Sequence, residues 1–239
     1  MYQTRKTFVK PDMKMSELIF ENPFLILLME HFRIDFIVHD LTVYQLCEQN
    51  TINSELFIFF CNLYNGFTSP GTGNISKQDI SSIISFLRNS HNFYKNDKYP
   101  EIRDYINQMY SKNNVAEIKL VEQFFDEYFN EVTEHLDYED QVAFPSISEK
   151  LKLENTEKKI DPQDFTISIY SEHHTDIESK LSELKNLLLK YIPLKEDHIL
   201  RRKLLFSLFE LEYDLKIHSR IEESILIPLV KKIEMNLNE

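Results

Sequence analysis

The sequence predicts an all-α protein, an up-down-up-down four-helix bundle preceded by a small helical module. Three observations carry that expectation. All three glycines, Gly66, Gly71 and Gly73, fall in "NGFTSPGTGN" beside Pro70, the strongest backbone punctuation in the 239 residues. Beyond that point run long stretches with no glycine and few prolines. Within each stretch apolar residues return every three or four positions, the period of a helix with one buried face.

The domains follow from these breaks: a module over 1–66, a linker over 67–76 and a bundle over 77–235. In the module, Ser16 is a candidate helix cap, Pro23 suits a first turn, Thr42 caps "LTVYQLCEQN", and "NSELFIFFCNLYNGF" starts at Asn53 or Ser54 and stops at Gly66. The bundle helices are read as 77–111, 115–149, 162–191 and 197–235. They are separated by "SKNN", by "ENTEKKIDPQD" with Pro162 at a first turn, and by "IPLKED" around Pro193. Pro100 should kink the first helix or start its second half. Short connections make neighbouring helices antiparallel.

A hydrophobic fraction of 42% is enough for a packed core. The formal charge of −12 argues against a nucleic-acid or anionic-membrane surface, because both need a basic face. "PFLILLM" is too short to span a bilayer, and no signal peptide is read at the start. Cys47 and Cys61 are too few for a disulfide framework and are read as buried apolar residues of a cytoplasmic protein.

The polar residues on the inward stripes carry the functional signal. "HLDYEDQVAFP" begins at His135, and "HSRIEESILIP" begins 83 positions later (218 − 135). Leu204, Leu208, Leu211, Leu215, His218, Glu222, Ile225 and Leu229 share one face, as do Phe124, Tyr128, Val132, His135, Glu139 and Val142. His91 and His174 lie on the stripes of the other two helices and are separated by the same offset (174 − 91), so the first helix pair reads as repeated in the second. The set His91, His135, Glu139, His174, His218 and Glu222 gives four imidazoles and two carboxylates, donors that suit two first-row metal ions, with iron favoured and manganese similar in its demands. A single zinc ion would use three or four of them. His173 is the alternative to His174. Glu131 and Asp214, one turn before the ligand histidines and again 83 apart, are candidates for support or proton delivery. Tyr94, Tyr128 and Tyr170 fall on inward stripes, read first as packing and second as donors to a bound oxygen species. His31, His39 and His198 are read as surface or boundary residues. Ferritin-like di-iron bundles use Glu-x-x-His, a pattern this chain lacks.

His-x-x-x-Glu on the second and fourth helices, a single histidine on the first and third, and a proline after each pair resemble the hemerythrin-like di-iron domain over 77–235. The preceding helical module and the four-His, two-Glu set are similar to the repair-of-iron-centres proteins within that group. That resemblance implies two non-haem irons, and small partners such as oxygen, nitric oxide or peroxide. It implies a role in nitrosative or oxidative stress, either assisting repair of damaged iron–sulfur proteins or reducing nitric oxide. An oxygen- or nitric-oxide-binding sensor that signals through the module is the alternative. Where that family carries two adjacent cysteines and a glycine, this chain has "IVHD", Ile37 to Asp40, so thiol chemistry is not expected there. The module is instead read as packing, recognising a partner or forming a homodimer.

Overall fold

The structure, a computed structural model, describes residues 6–67, 75–113, 116–153, 167, 170, 178–192 and 197–238. The described residues are helical apart from turns, connections and one isolated bridge between Lys14 and Thr42, and none of their helices is long and apolar enough to cross a membrane. In chain order the helices are α1 Met15–Glu21, α2 Leu25–His31, α3 Val43–Gln49, α4 Ser54–Tyr64, α5 Ile80–Phe93, α6 Tyr99–Asn113, α7 Ala116–Tyr138, α8 Phe144–Leu153, α9 Glu178–Lys190, α10 His198–Ile221 and α11 Ile227–Asn238. A 3-10 turn, Lys77–Asp79, leads into α5. The chain packs as two units: Met1–Asn89 with Ile147–Asp164 and Ile217–Glu239, and Ser90–Ser146 with Phe165–Lys216.

In the first unit the caps follow sequence chemistry with one exception. Thr42 accepts from the Gln45 amide while the Gln45 side chain reaches back, a full capping box, and Asn53 caps α4. Ser16 lies inside α1, whose N-cap is Lys14, because α1 begins where Met15 buries its side chain and its amide bonds to Leu41. Pro23 stands two residues before α2, and its carbonyl accepts from Ile26. Three helices end in the same way: the residue after the cap turns left-handed and two amides reach back to the last carbonyls. Gly66 does this at φ 81° without strain, whereas Arg33 at φ 58° and Thr51 at φ 56° do it with a Cβ in place. Phe32 sits among Phe57, Phe60 and Phe86, with ring centroids 4.8–5.5 Å apart. Buried Asn62 of α4 accepts from the Val9 amide, and buried Asn22, at the end of α1, donates to the Tyr64 carbonyl and the Asn65 side chain. His31, expected at the surface, is buried edge-on to Phe86 at 5.2 Å, and its carbonyl accepts from Asn89 of α5. His39 is exposed, and so is His198 in the second unit. Cys47 and Cys61 are buried, as expected, and burial pushes the Cys47 thiol up to about 12 and Cys61 well above its usual value. Most of the expected linker lies outside the described residues, although Ser76 forms a capping box with Asp79.

In the second unit α6 and α7 pack through Tyr99, which stacks on Phe129 at 3.8 Å and donates to Asp126 at 2.7 Å. The segment entering α6 also meets α10 along a polar seam: Tyr94 bonds Asp214 at 2.8 Å, Lys98 bonds Glu210 at 2.8 Å, and Ser207 bonds Glu101 at 2.8 Å. As one number climbs by three or four the other falls by three or four, which is the signature of two antiparallel helices in register. Lys185 and Ser182 of α9 hold Glu212 of α10 in the same fashion.

The expected helix 77–111 is interrupted, and so are 115–149 and 197–235. Each passes through a five-residue π turn: Tyr94–Lys98, Glu139–Ala143 and Glu222–Leu226. The cause is readable in the chain. Two positions after each π turn stands a proline, Pro100, Pro145 or Pro228. Proline cannot donate the helical bond and its ring collides with the carbonyl four residues back. The wider turn, in which Tyr99, Phe144 and Ile227 bond five residues back to Tyr94, Glu139 and Glu222, relieves that collision. The inserted residue also shifts the inward face, so Val142, expected inside, is 40% exposed, and Ala143 is fully buried in its place. The expected helix 162–191 is described from Glu178 to Lys190 and at Ile167 and Tyr170.

Candidate metal centre

Glu139 is the focus of the centre. It opens the second π turn, is fully buried, and presents a different oxygen to each of two imidazoles. Oε2 lies 3.3 Å from His91 Nε2, and Oε1 lies 3.1 Å from His135 Nε2. His135 reaches it from the preceding turn of α7, the i to i+4 geometry that the spacing predicts. Tyr170 donates to Oε1 at 3.0 Å. The repeat places a second pair on α10 and the turn that follows it: His218 Nε2 is 3.5 Å from Glu222 Oε1, and both residues are buried. His91 and His135 thus converge on Glu139 within the second unit, and His218 with Glu222 forms the corresponding pair in the first. His174 and its alternative His173 lie outside the described residues.

Asp140 was not singled out by periodicity, yet its Oδ1 is 3.1 Å from His91 Nδ1, the nitrogen turned away from Glu139. A carboxylate there fixes the tautomer and leaves Nε2 as the donor atom. The repeat held the signal: 83 positions beyond Asp140 the chain has another acid, Glu223. Phe144 stacks on the His91 ring at 5.6 Å and limits its rotation. Burial works against a charged His91, but the bonds from Asp140 and Glu139 outweigh it and raise the imidazole to about 9. Burial likewise pushes the Asp140 carboxyl up, and His91 and Lys95 outweigh it, leaving Asp140 below its usual value.

The two acids expected to support the ligand histidines or deliver protons have separate environments. Asp214 is buried and accepts from Tyr94. Glu131 is 60% exposed at its side chain and pairs with Lys180, so it belongs to the solvated face of α7 rather than to the centre. The reason is rotational: residue 131 stands one turn before His135, which is itself at the edge of the buried face. Tyr94, Tyr128 and Tyr170 are all buried.

No family model matches this chain, and no curated protein matches it. Imidazole nitrogens and carboxylate oxygens converging without thiolates fit iron or a similar first-row ion and disfavour copper(I), magnesium and calcium.

Proposed function

We propose that this chain is a non-haem di-iron protein of the hemerythrin-like kind, resembling the repair-of-iron-centres proteins, and that it acts in the cytoplasmic response to nitrosative or oxidative stress. In this reading residues 77–235 form an up-down-up-down four-helix bundle, and 1–66 form the module before it. His91, His135, Glu139, His174, His218 and Glu222 hold two irons. One observation carries the reading most directly: the buried Glu139 carboxylate faces one imidazole with each oxygen, the disposition a carboxylate needs to bridge two metal ions.

When bound, the irons would supply redox-active positions for oxygen, nitric oxide or peroxide. The protein's part is positioning. Asp140 orients His91, Tyr170 orients Glu139, and Phe144 packs against the imidazole. The two outcomes that suit the family resemblance are assistance to damaged iron–sulfur proteins and reduction of nitric oxide. Combining His135→Ala with Glu222→Ala should abolish iron binding, and a double variant that keeps two irons per chain would sink the assignment. Restoration of a damaged iron–sulfur enzyme by the loaded wild type, set against nitric oxide consumption by the same sample, separates the two activities.

The second reading is a sensor, and one contact favours it. Asn89, two positions before His91, donates to the His31 carbonyl and accepts from Arg33, so the end of α2 is tied to α5, the helix that carries a ligand. Slower amide exchange in α2 on iron loading, with no turnover of nitric oxide, would favour this reading.

A further inference from the structure

Tyr94 and Asp214 are a buried polar pair outside the six-residue ligand set. Tyr94 is fully buried, Asp214 is 1% exposed, and the phenol donates to Asp214 Oδ2 at 2.8 Å. Each lies about one helical turn from a ligand, Tyr94 three positions after His91 and Asp214 four positions before His218. The pair is not a symmetric packing device. At the repeat-related positions the chain has Ile177 and Glu131, an aliphatic residue and an acid that points to solvent and pairs with Lys180. One half of the repeat therefore carries a phenol hydrogen-bonded to a carboxylate, and the other half does not.

We propose that Tyr94 is a redox-active tyrosine that surrenders one electron to a peroxide at the iron centre and its phenolic proton to Asp214. The inference rests on the di-iron reading above. A phenol is hard to oxidise while it keeps its proton, and a carboxylate already bonded to the hydroxyl removes that obstacle in the same event. Tyr170 is the weaker candidate, because its hydroxyl is committed to Glu139, a carboxylate whose basicity metal binding would lower. Asp214 binds no metal in this reading. A ferrous ion and Tyr94 each supply one electron to hydrogen peroxide, the O–O bond breaks, and the peroxide leaves as two hydroxide ions. The phenolic proton resides on Asp214, and the oxidised products are a ferric ion and a neutral tyrosyl radical. Burial of the ring shields that radical from solvent.

The test is rapid-freeze electron paramagnetic resonance on the full chain, loaded anaerobically with ferrous iron and mixed with hydrogen peroxide, after metal analysis of the same sample. The expected result is a tyrosyl signal that narrows with ring-deuterated tyrosine, falls to background in Tyr94→Phe and is weakened in Asp214→Asn. It should persist in Tyr128→Phe and Tyr170→Phe. Tyr94→Phe retains the buried ring, and an unchanged helical circular dichroism spectrum with an unchanged iron content confirms that the variant is folded and loaded. Iron-loaded wild type without a tyrosyl signal, or a signal of wild-type yield in Tyr94→Phe, overturns the proposal while leaving the di-iron reading intact. A chain that binds no iron overturns both.

Discussion

Replacing Asp140 with asparagine tests whether the carboxylate behind His91 sets the affinity of the centre. Oδ1 lies 3.1 Å from His91 Nδ1, a contact between groups that carry charge when the imidazole is protonated and that polarises the ring when it is not. Hydrogen bonds to charged groups contribute about 1.5–3 kcal/mol. The Asp140 side chain is 28% exposed and also meets Lys95 at 3.5 Å, so the lower end applies. About 1.5 kcal/mol corresponds to roughly a tenfold weakening of iron affinity, at the lower edge of the range for outer partners of metal-bound histidine. The assay is anaerobic competition for ferrous iron against a coloured chelator. Asp137→Asn is the control, since Asp137 touches Lys95 at 2.6 Å and has the same charge. An Asp140→Asn affinity within a factor of about two of wild type would refute the reasoning, as would an equal loss in Asp137→Asn.

Further predictions draw on separate parts of the structure. Pro145→Ala restores a helical donor and lets the π turn at Glu139–Ala143 relax toward an α-helix, so metal-free stability should rise by about 1 kcal/mol while iron affinity falls, read by thermal melts and the same competition. Lys98→Met leaves Glu101 and Glu210 facing one another across the seam without their shared cation; with both acids about one-third exposed, the loss should be about 2–3 kcal/mol in urea unfolding. Burial pushes Glu101 and Glu212 up, but Lys98 with Ser207 and Lys185 with Ser182 hold both carboxyls below the usual 4.5. Their folded values lie below their unfolded ones, so this stabilisation is present above pH 4.5 and is lost as pH falls through the folded values. The urea midpoint should drop from about pH 6 to about pH 4, and a smaller drop is expected in Lys98→Met. Thr51→Gly removes a Cβ from a left-handed residue and should raise stability by about 1 kcal/mol; a loss would show that the φ of 56° is not strained.

The readable parts of this molecule are those in which one residue type has one physical use. Thr42 and Asn53 announced their caps because a short oxygen-bearing side chain before an apolar run has little else to do there. The pairing of His135 with Glu139 and of His218 with Glu222 followed from the helical period alone. Other features were hidden for identifiable reasons. Left-handed helix ends at Arg33 and Thr51 carry no glycine, so the residue that usually signals such an end is missing from the sequence there. His31 looked peripheral because its burial depends on Phe86, distant in sequence. Val142 was assigned to the core by a period that the π turn breaks, although the recurring proline after each such turn was a usable sign. Asp140 sits beside Glu139 in sequence and therefore off the stripe; in the π turn it comes within reach of His91 Nδ1.

Metal analysis of the full chain purified without oxygen tests the central claim most directly. The account predicts two irons per chain, with an absorption spectrum that changes when nitric oxide is added. A chain that emerges metal-free and takes up no iron on anaerobic reconstitution would contradict it, and the convergence of His91, His135 and Tyr170 on Glu139 would then be a packing arrangement of the helices alone.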